Sequence, residues 1–159
     1  MASISLQQLK IVEDQLHQIR EAIANLDLWN ESLTSADDFL TSPGGMKTLA
    51  ADCMLIEAIG EGIKRIDERT NQLLLPTRPE IPWKAVKGMR DRIAHGYFDI
   101  NTDFVWDVVK NDLPALRDAV DYFIKYLYEI VPFEECLSAL QMQPFCYAAH
   151  ASLLYKLTK

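Results

Sequence analysis

The chain has 159 residues, of which 49% are hydrophobic and 25% charged, and its formal net charge is −7. That length and composition fit one globular domain with a core of useful size and leave little room for two. The acidic balance argues against a general nucleic-acid coat, so any RNA contact has to be local.

No run approaches the eighteen or more uncharged apolar residues that a membrane span needs. The start, Met1-Ala2-Ser3-Ile4-Ser5, has neither a basic segment nor an apolar block. A cytoplasmic location is expected, with no membrane partner. Three cysteines, Cys53, Cys136 and Cys146, are an odd number without an export signal, so reduced thiols are expected rather than a disulfide framework.

In chain order, Leu6, Leu9, Val12 or Glu13, Leu16, Ile19, Ile23 and Leu26 recur at three- and four-residue steps. They predict one amphipathic helix from Ser5 to about Trp29 with polar outward positions, His17 among them. Ser35 to Leu40 reads as a short capped turn of helix, and Thr41-Ser42-Pro43-Gly44-Gly45 as a loop. Gly44-Gly45 with Lys47 lacks the pattern of a phosphate-binding loop.

A second helix is expected from about Met46 to Arg69, with Leu49, Cys53, Ile56, Ile59 or Gly60, Ile63 and Ile66 inward. Gly60 and Gly62 inside it each cost about 1 kcal/mol relative to alanine, which suits places where another backbone or a bound group comes close. Glu57 and Glu61 share a face. Such like charges either face a basic partner or are simply solvated.

Three prolines between Pro76 and Pro82 predict an extended connector, after which a third helix starts at Trp83. N-cap candidates lie between Asp99 and Asp103. They open a fourth helix through Val105 or Trp106, Val109, Leu113, Leu116, Val120, Phe123 and Leu127, with a kink ahead of Pro114 and a stop at Pro132. A weaker fifth helical pattern runs from Phe133 to Leu157, broken near Pro144. Nothing repeats with a period of 20 to 50 residues, and no strand-like alternation appears. The expected fold class is all-α: an antiparallel bundle of four main helices plus a C-terminal helix.

Residues 80–98 concentrate the basic charge. Lys84, Lys87, Arg90 and Arg92 stand against Glu80 and Asp91, which leaves −9 for the rest of the chain. A positive strip on an acidic body attracts phosphate within a Debye length of about 8–10 Å. The same segment carries R-x-x-x-x-H-x-Y at Arg90, His95 and Tyr97. An arginine, an imidazole and a phenol are groups that chemistry on an RNA phosphodiester would use: His95 for proton transfer to or from the ribose 2′-hydroxyl or the 5′-oxygen, Arg90 for the developing negative charge. That reaction needs no metal, leaves a 2′,3′-cyclic phosphate, and excludes DNA because the nucleophile is the substrate's own hydroxyl.

At 100° per residue, Trp83, Val86, Met89 and Ile93 share one side of the third helix with Arg90, whereas His95 lies about 140° around from Arg90. Either Gly96 ends the helix early and swings His95 round, or two copies related by a two-fold axis share the site. The plainer alternative is an ordinary helix surface, with Asp91 and His95 paired at i, i+4. Cys136, Cys146 and His150 are too few and too irregular for a zinc site.

The run Ile81-Pro82-Trp83, then Gly88-Met89-Arg90-Asp91-Arg92-Ile93-Ala94-His95-Gly96-Tyr97-Phe98-Asp99-Ile100, then Val105-Trp106 and Leu113-Pro114-Ala115-Leu116, resembles the HepT family of HEPN-domain proteins. Glu57-Ala58-Ile59-Gly60-Glu61 is similar to that family's second helix. The resemblance covers about residues 5–130 of a single domain and leaves 133–159 as an extension. It implies a HEPN-type homodimer and an endoribonuclease toxin of a two-gene toxin–antitoxin module. Arg90 and His95 would then be catalytic, Lys84, Lys87 and Arg92 would bind RNA phosphate, and Asp91, Glu57 and Glu61 would support them. It further implies a tRNA or mRNA substrate, and an MntA-like nucleotidyltransferase antitoxin that transfers AMP from ATP to Tyr97, the toxin itself needing no cofactor. The alternative is a HEPN dimer without turnover, binding a nucleotide or a nucleotidyltransferase.

Overall fold

The computed structural model describes residues 4–94 and 100–134. Helix α1 (Leu6–Trp29) begins where Ser5 caps it: the Ser5 hydroxyl accepts from the Gln8 amide, while the Gln8 side chain accepts from the Ser5 amide. Its buried stripe is Leu9, Val12, Leu16, Ile19, Ile23 and Leu26, which resolves the Val12 or Glu13 ambiguity in favour of the valine. A 3-10 turn at Ala36–Phe39 follows and buries Phe39.

Helix α2 is Pro43–Arg69, three residues longer at its start than expected. Of the expected Thr41–Gly45 loop, Pro43, Gly44 and Gly45 are therefore helical, and only Thr41 and Ser42 precede the helix. Ser42 is the N-cap and accepts from the Gly45 amide at 3.0 Å, and Pro43 occupies the first turn, where its missing N–H has no partner to lose. Gly45 lies so close under the 3-10 turn that a Cβ there would stand 2.4 Å from the Asp38 carbonyl oxygen.

The proline connector is anchored rather than loose. Leu74, Leu75 and Ile81 are buried, with a 3-10 turn at Leu75–Thr77. Arg78 pairs with Glu80, stacks 5.1 Å over the Tyr122 ring, and its carbonyl accepts from Trp83 Nε1 at 2.8 Å. The third helix starts at Trp83 as expected but comes in two pieces, α3 (Trp83–Lys87) and α4 (Met89–Ala94), divided at Gly88. Val86, Met89 and Ile93 are buried, and Trp83 is half-buried against Phe123 at 5.6 Å between ring centroids.

Asn101 caps α5 (Thr102–Asp107) by accepting from the Phe104 amide. A π-helical segment, Val108–Asp112, leads into α6 (Leu113–Ile130), so the break ahead of Pro114 takes the form of a widened turn. Leu113, Leu116, Ala119, Val120, Phe123 and Leu127 form the buried side of α6.

Helix α1 packs on α2 and α6, and α4 packs on α2. These helices enclose one hydrophobic core. Two short strands depart from the all-helical expectation: β1 (Ile4–Ser5) runs parallel to β2 (Phe133–Glu134) and ties the start of α1 to the residues after α6. The remainder of the expected C-terminal helix, with Cys136, Cys146 and His150, lies outside the described residues. Among the described residues no helix is long and apolar enough to cross a membrane. The fold is all-α in character.

Candidate functional site

The basic strip is carried by α3 and α4, and α2 is what they lie against. Gly60 makes the approach possible. A Cβ at that position would stand 3.0 Å from the Val86 carbonyl oxygen and 3.7 Å from the Arg90 amide nitrogen, so any larger residue would push the strip outward. Gly62 does the same for α1, where a Cβ would meet Ile19 Cδ1 at 3.0 Å.

Next to Gly60 in the chain, Glu61 is half-buried and faces two guanidiniums. Its Oε2 lies 3.8 Å from Arg90 Nη1 and its Oε1 accepts from Arg65 Nε at 3.3 Å. The Arg90 side chain is 57% exposed, so the carboxylate orients the cation without removing it from solvent. The pair is worth ~1 kcal/mol or less at such exposure, so an anion could compete with Glu61 for the guanidinium. Glu61 therefore faces the arginine strip. Glu57 is half-buried one turn earlier and adds its charge to the surroundings of the Cys53 thiol, which burial above all pushes up to about 11.

The other cations of the strip divide between two sides. Lys87 Nζ donates to Asp67 Oδ2 at 2.7 Å, holding the end of α3 to α2. Lys84 and Asp91 are exposed. Arg92 turns the opposite way from Arg90 and lies 3.8 Å over the Phe104 ring of α5, within the range of a strong cation–π contact. Arg90 and Arg92 thus do not form one patch. Their two-residue separation on α4 sends one toward α2 and the other toward α5. His95 and Tyr97 lie outside the described residues.

Sequence reasoning missed several partners that the fold supplies. Asp67 is the Lys87 partner and Phe104 the Arg92 platform. Farther off, Asn30 and Asp52 are fully buried side by side, with Asn30 Nδ2 donating to Asp52 Oδ2 at 2.8 Å and Lys110 Nζ donating to the Asn30 carbonyl at 2.9 Å. The available signal was an aspartate beside Cys53 on the inward stripe of α2.

Over residues 9–123 the chain matches the family described as Ribonuclease HepT-like. It is 34% identical over 105 residues to the protein named "Probable ribonuclease HepT" of Thermococcus cleftensis, covering 66% of this chain and 88% of that one. Against "Putative RNase MJ0127" of Methanocaldococcus jannaschii it is 31% identical over 116 residues, 73% of this chain and 89% of the relative. No solved structure matches it. The helical order, the arginine strip laid across α2 and a family match spanning most of the chain lead to one conclusion: this protein belongs to the ribonuclease HepT-like family.

Proposed function

We propose that the chain is a metal-independent endoribonuclease toxin that acts as a homodimer, with Arg90 and His95 meeting in a cleft between two copies. The observation that carries this reading is Arg90, held by Glu61 yet open to solvent on the one basic strip of an acidic protein. The family membership supports RNA as the substrate. In the reaction, His95 takes the proton of a ribose 2′-hydroxyl as that oxygen attacks the adjacent phosphorus. The bond to the 5′-oxygen breaks, and the leaving oxygen collects a proton from an imidazolium. The products are a 2′,3′-cyclic phosphate and a 5′-hydroxyl end. General acid–base help of this kind is worth roughly 10²- to 10⁴-fold, and Arg90 stabilises the charge of the five-coordinate phosphorus.

Lys84 and Lys87 steer RNA toward the strip, with Asp91 beside them. An MntA-like nucleotidyltransferase neutralises the toxin by moving AMP from ATP to the Tyr97 hydroxyl. The added anion occupies space and charge that the RNA phosphate needs.

Purified protein is expected to cut tRNA or mRNA in the presence of EDTA, and His95→Ala to lower cutting at least 100-fold while sedimentation still shows a dimer. Production without the nucleotidyltransferase should arrest growth, and co-production should relieve the arrest and add the mass of adenylate to the protein. RNA left intact by the unmodified protein would instead favour a binding module without turnover.

A further inference from the structure

On the side of α4 away from Glu61 there is a recess, of about 120 Å³, between α3–α4 and the α5–α6 arm. That is room for one planar ring system but not for a drug-sized ligand. Val86, Met89, Val108 and Leu116 give it apolar walls, and Arg92, lying on Phe104, forms part of its edge. Its remaining rim comes from the π-helical segment, which contributes Asn111 and Asp112. A π turn departs from regular α-helical hydrogen bonding and is frequently met at functional sites.

Besides the Arg92 guanidinium, the polar lining is carried by Glu80, Asn111 and Asp112. Glu80 is already engaged by Arg78. Asn111 donates through Nδ2 to Asp107, leaving its carbonyl oxygen. The Asp112 side chain makes no cap hydrogen bond to α6, and its carboxyl is pushed up chiefly by partial burial, then by Asp107, against the pull of Arg92.

Apolar walls with an arginine and an aromatic ring at the edge are a means by which proteins hold an unstacked RNA base. A carboxylate facing the base edge selects among bases. It can accept two bonds at once from neighbouring donors, and of the four RNA bases only guanine presents two adjacent donors, N1–H and the 2-amino group. We propose that this recess is a guanine-binding subsite, in which the base stacks beside Arg92 and Phe104 and Asp112 reads its Watson–Crick edge. The inference rests on the ribonuclease reading for its biological use, since the recess borders α4 only two residues from Arg90, but its chemistry stands without turnover.

The test separates the two. Calorimetric titration of the full-length wild-type protein with GMP, IMP, AMP, CMP and UMP is expected to show GMP tighter than AMP, CMP or UMP by about tenfold or more, with IMP, which lacks the 2-amino group, between. Asp112→Asn should remove that preference, and Phe104→Leu should weaken every nucleotide by removing the Arg92 platform. Equal affinity for the four ordinary nucleotides, no binding at all, or a preference that survives Asp112→Asn would overturn the subsite. In a second arm, cut sites mapped on a random-sequence RNA should show guanosine at one fixed position from the break, a bias lost in Asp112→Asn while cutting continues. GMP selectivity with no RNA cutting would refute the nuclease and leave the subsite standing. Cutting without selectivity of either kind would do the reverse.

Discussion

At the scale of single residues, the most consequential group away from the strip is Asp52. It is fully buried beside Asn30, and both side chains keep one oxygen, Oδ1 in each, without a hydrogen-bond partner. Leaving two buried acceptors unpaired costs about 1–3 kcal/mol each. A proton on Asp52 Oδ1 donated to Asn30 Oδ1 would satisfy both, closing an acid–amide ring with the existing Asn30 Nδ2 to Asp52 Oδ2 bond. The direction of titration agrees: desolvation outweighs the Asn30 bond and the Lys110 charge and pushes the Asp52 carboxyl up to about 6 from 3.8. A carboxyl with a folded pKa above its unfolded value stabilises the fold fully below pH 3.8, and that contribution disappears as pH rises through about 6. The amount at stake is about 3 kcal/mol. Asp52→Asn keeps the ring geometry with a permanent donor. It should raise the melting temperature by several degrees at pH 7.5 and change it little at pH 4.5. Equal shifts at both pH values, read by calorimetry, would show that Asp52 is ionised throughout.

At the scale of elements, the helical stripes were legible because burial imposes a 3.6-residue period that few other structures produce. The inward residues of α1 and α6 follow that period, with Leu6 only half-buried and Ala119 joining the expected set. The start of α2 was not legible in the same way. Pro43-Gly44-Gly45 carries strong breaker chemistry, and only the Ser42 cap and the turn packed over Gly45 make it helical. Gly88 likewise divides α3 from α4 by a local tightening, its amide lying 3.1 Å from both the Lys84 and Ala85 carbonyls, which no apolar period records. Gly60, in contrast, signalled its role, because a glycine costs about 1 kcal/mol in mid-helix unless something needs the space. Gly60→Val is expected to destabilise the fold by about 1–3 kcal/mol through overpacking against the Val86 carbonyl, and to lower RNA cleavage further by displacing Arg90. Gly44→Ala is the control. Its Cβ would meet only Ser42 Oγ at 3.6 Å, so chemical denaturation should show it neutral or slightly stabilised.

At the scale of the whole molecule, the question is how one strip can serve a two-group reaction. The structure directs Arg90 toward α2 and Arg92 toward α5, so the cations of α4 serve different faces, which residue spacing alone did not separate into roles. Helical geometry puts His95 about 140° from Arg90 if the helix continues, and in the proposed dimer a two-fold partner would remove that mismatch by supplying the imidazole from a second chain. Subunit mixing tests this directly. Arg90→Ala and His95→Ala homodimers should each be nearly inactive. After mixing in equal amounts with subunit exchange, half of the dimers carry one chain of each kind, and in half of the sites of those dimers both groups are intact. About a quarter of wild-type activity should then return. If each chain held its own Arg90 and His95 together, no mixed dimer would contain a complete site and activity would stay at the level of the separate variants, so the recovered fraction decides whether catalysis belongs to the chain or to the pair.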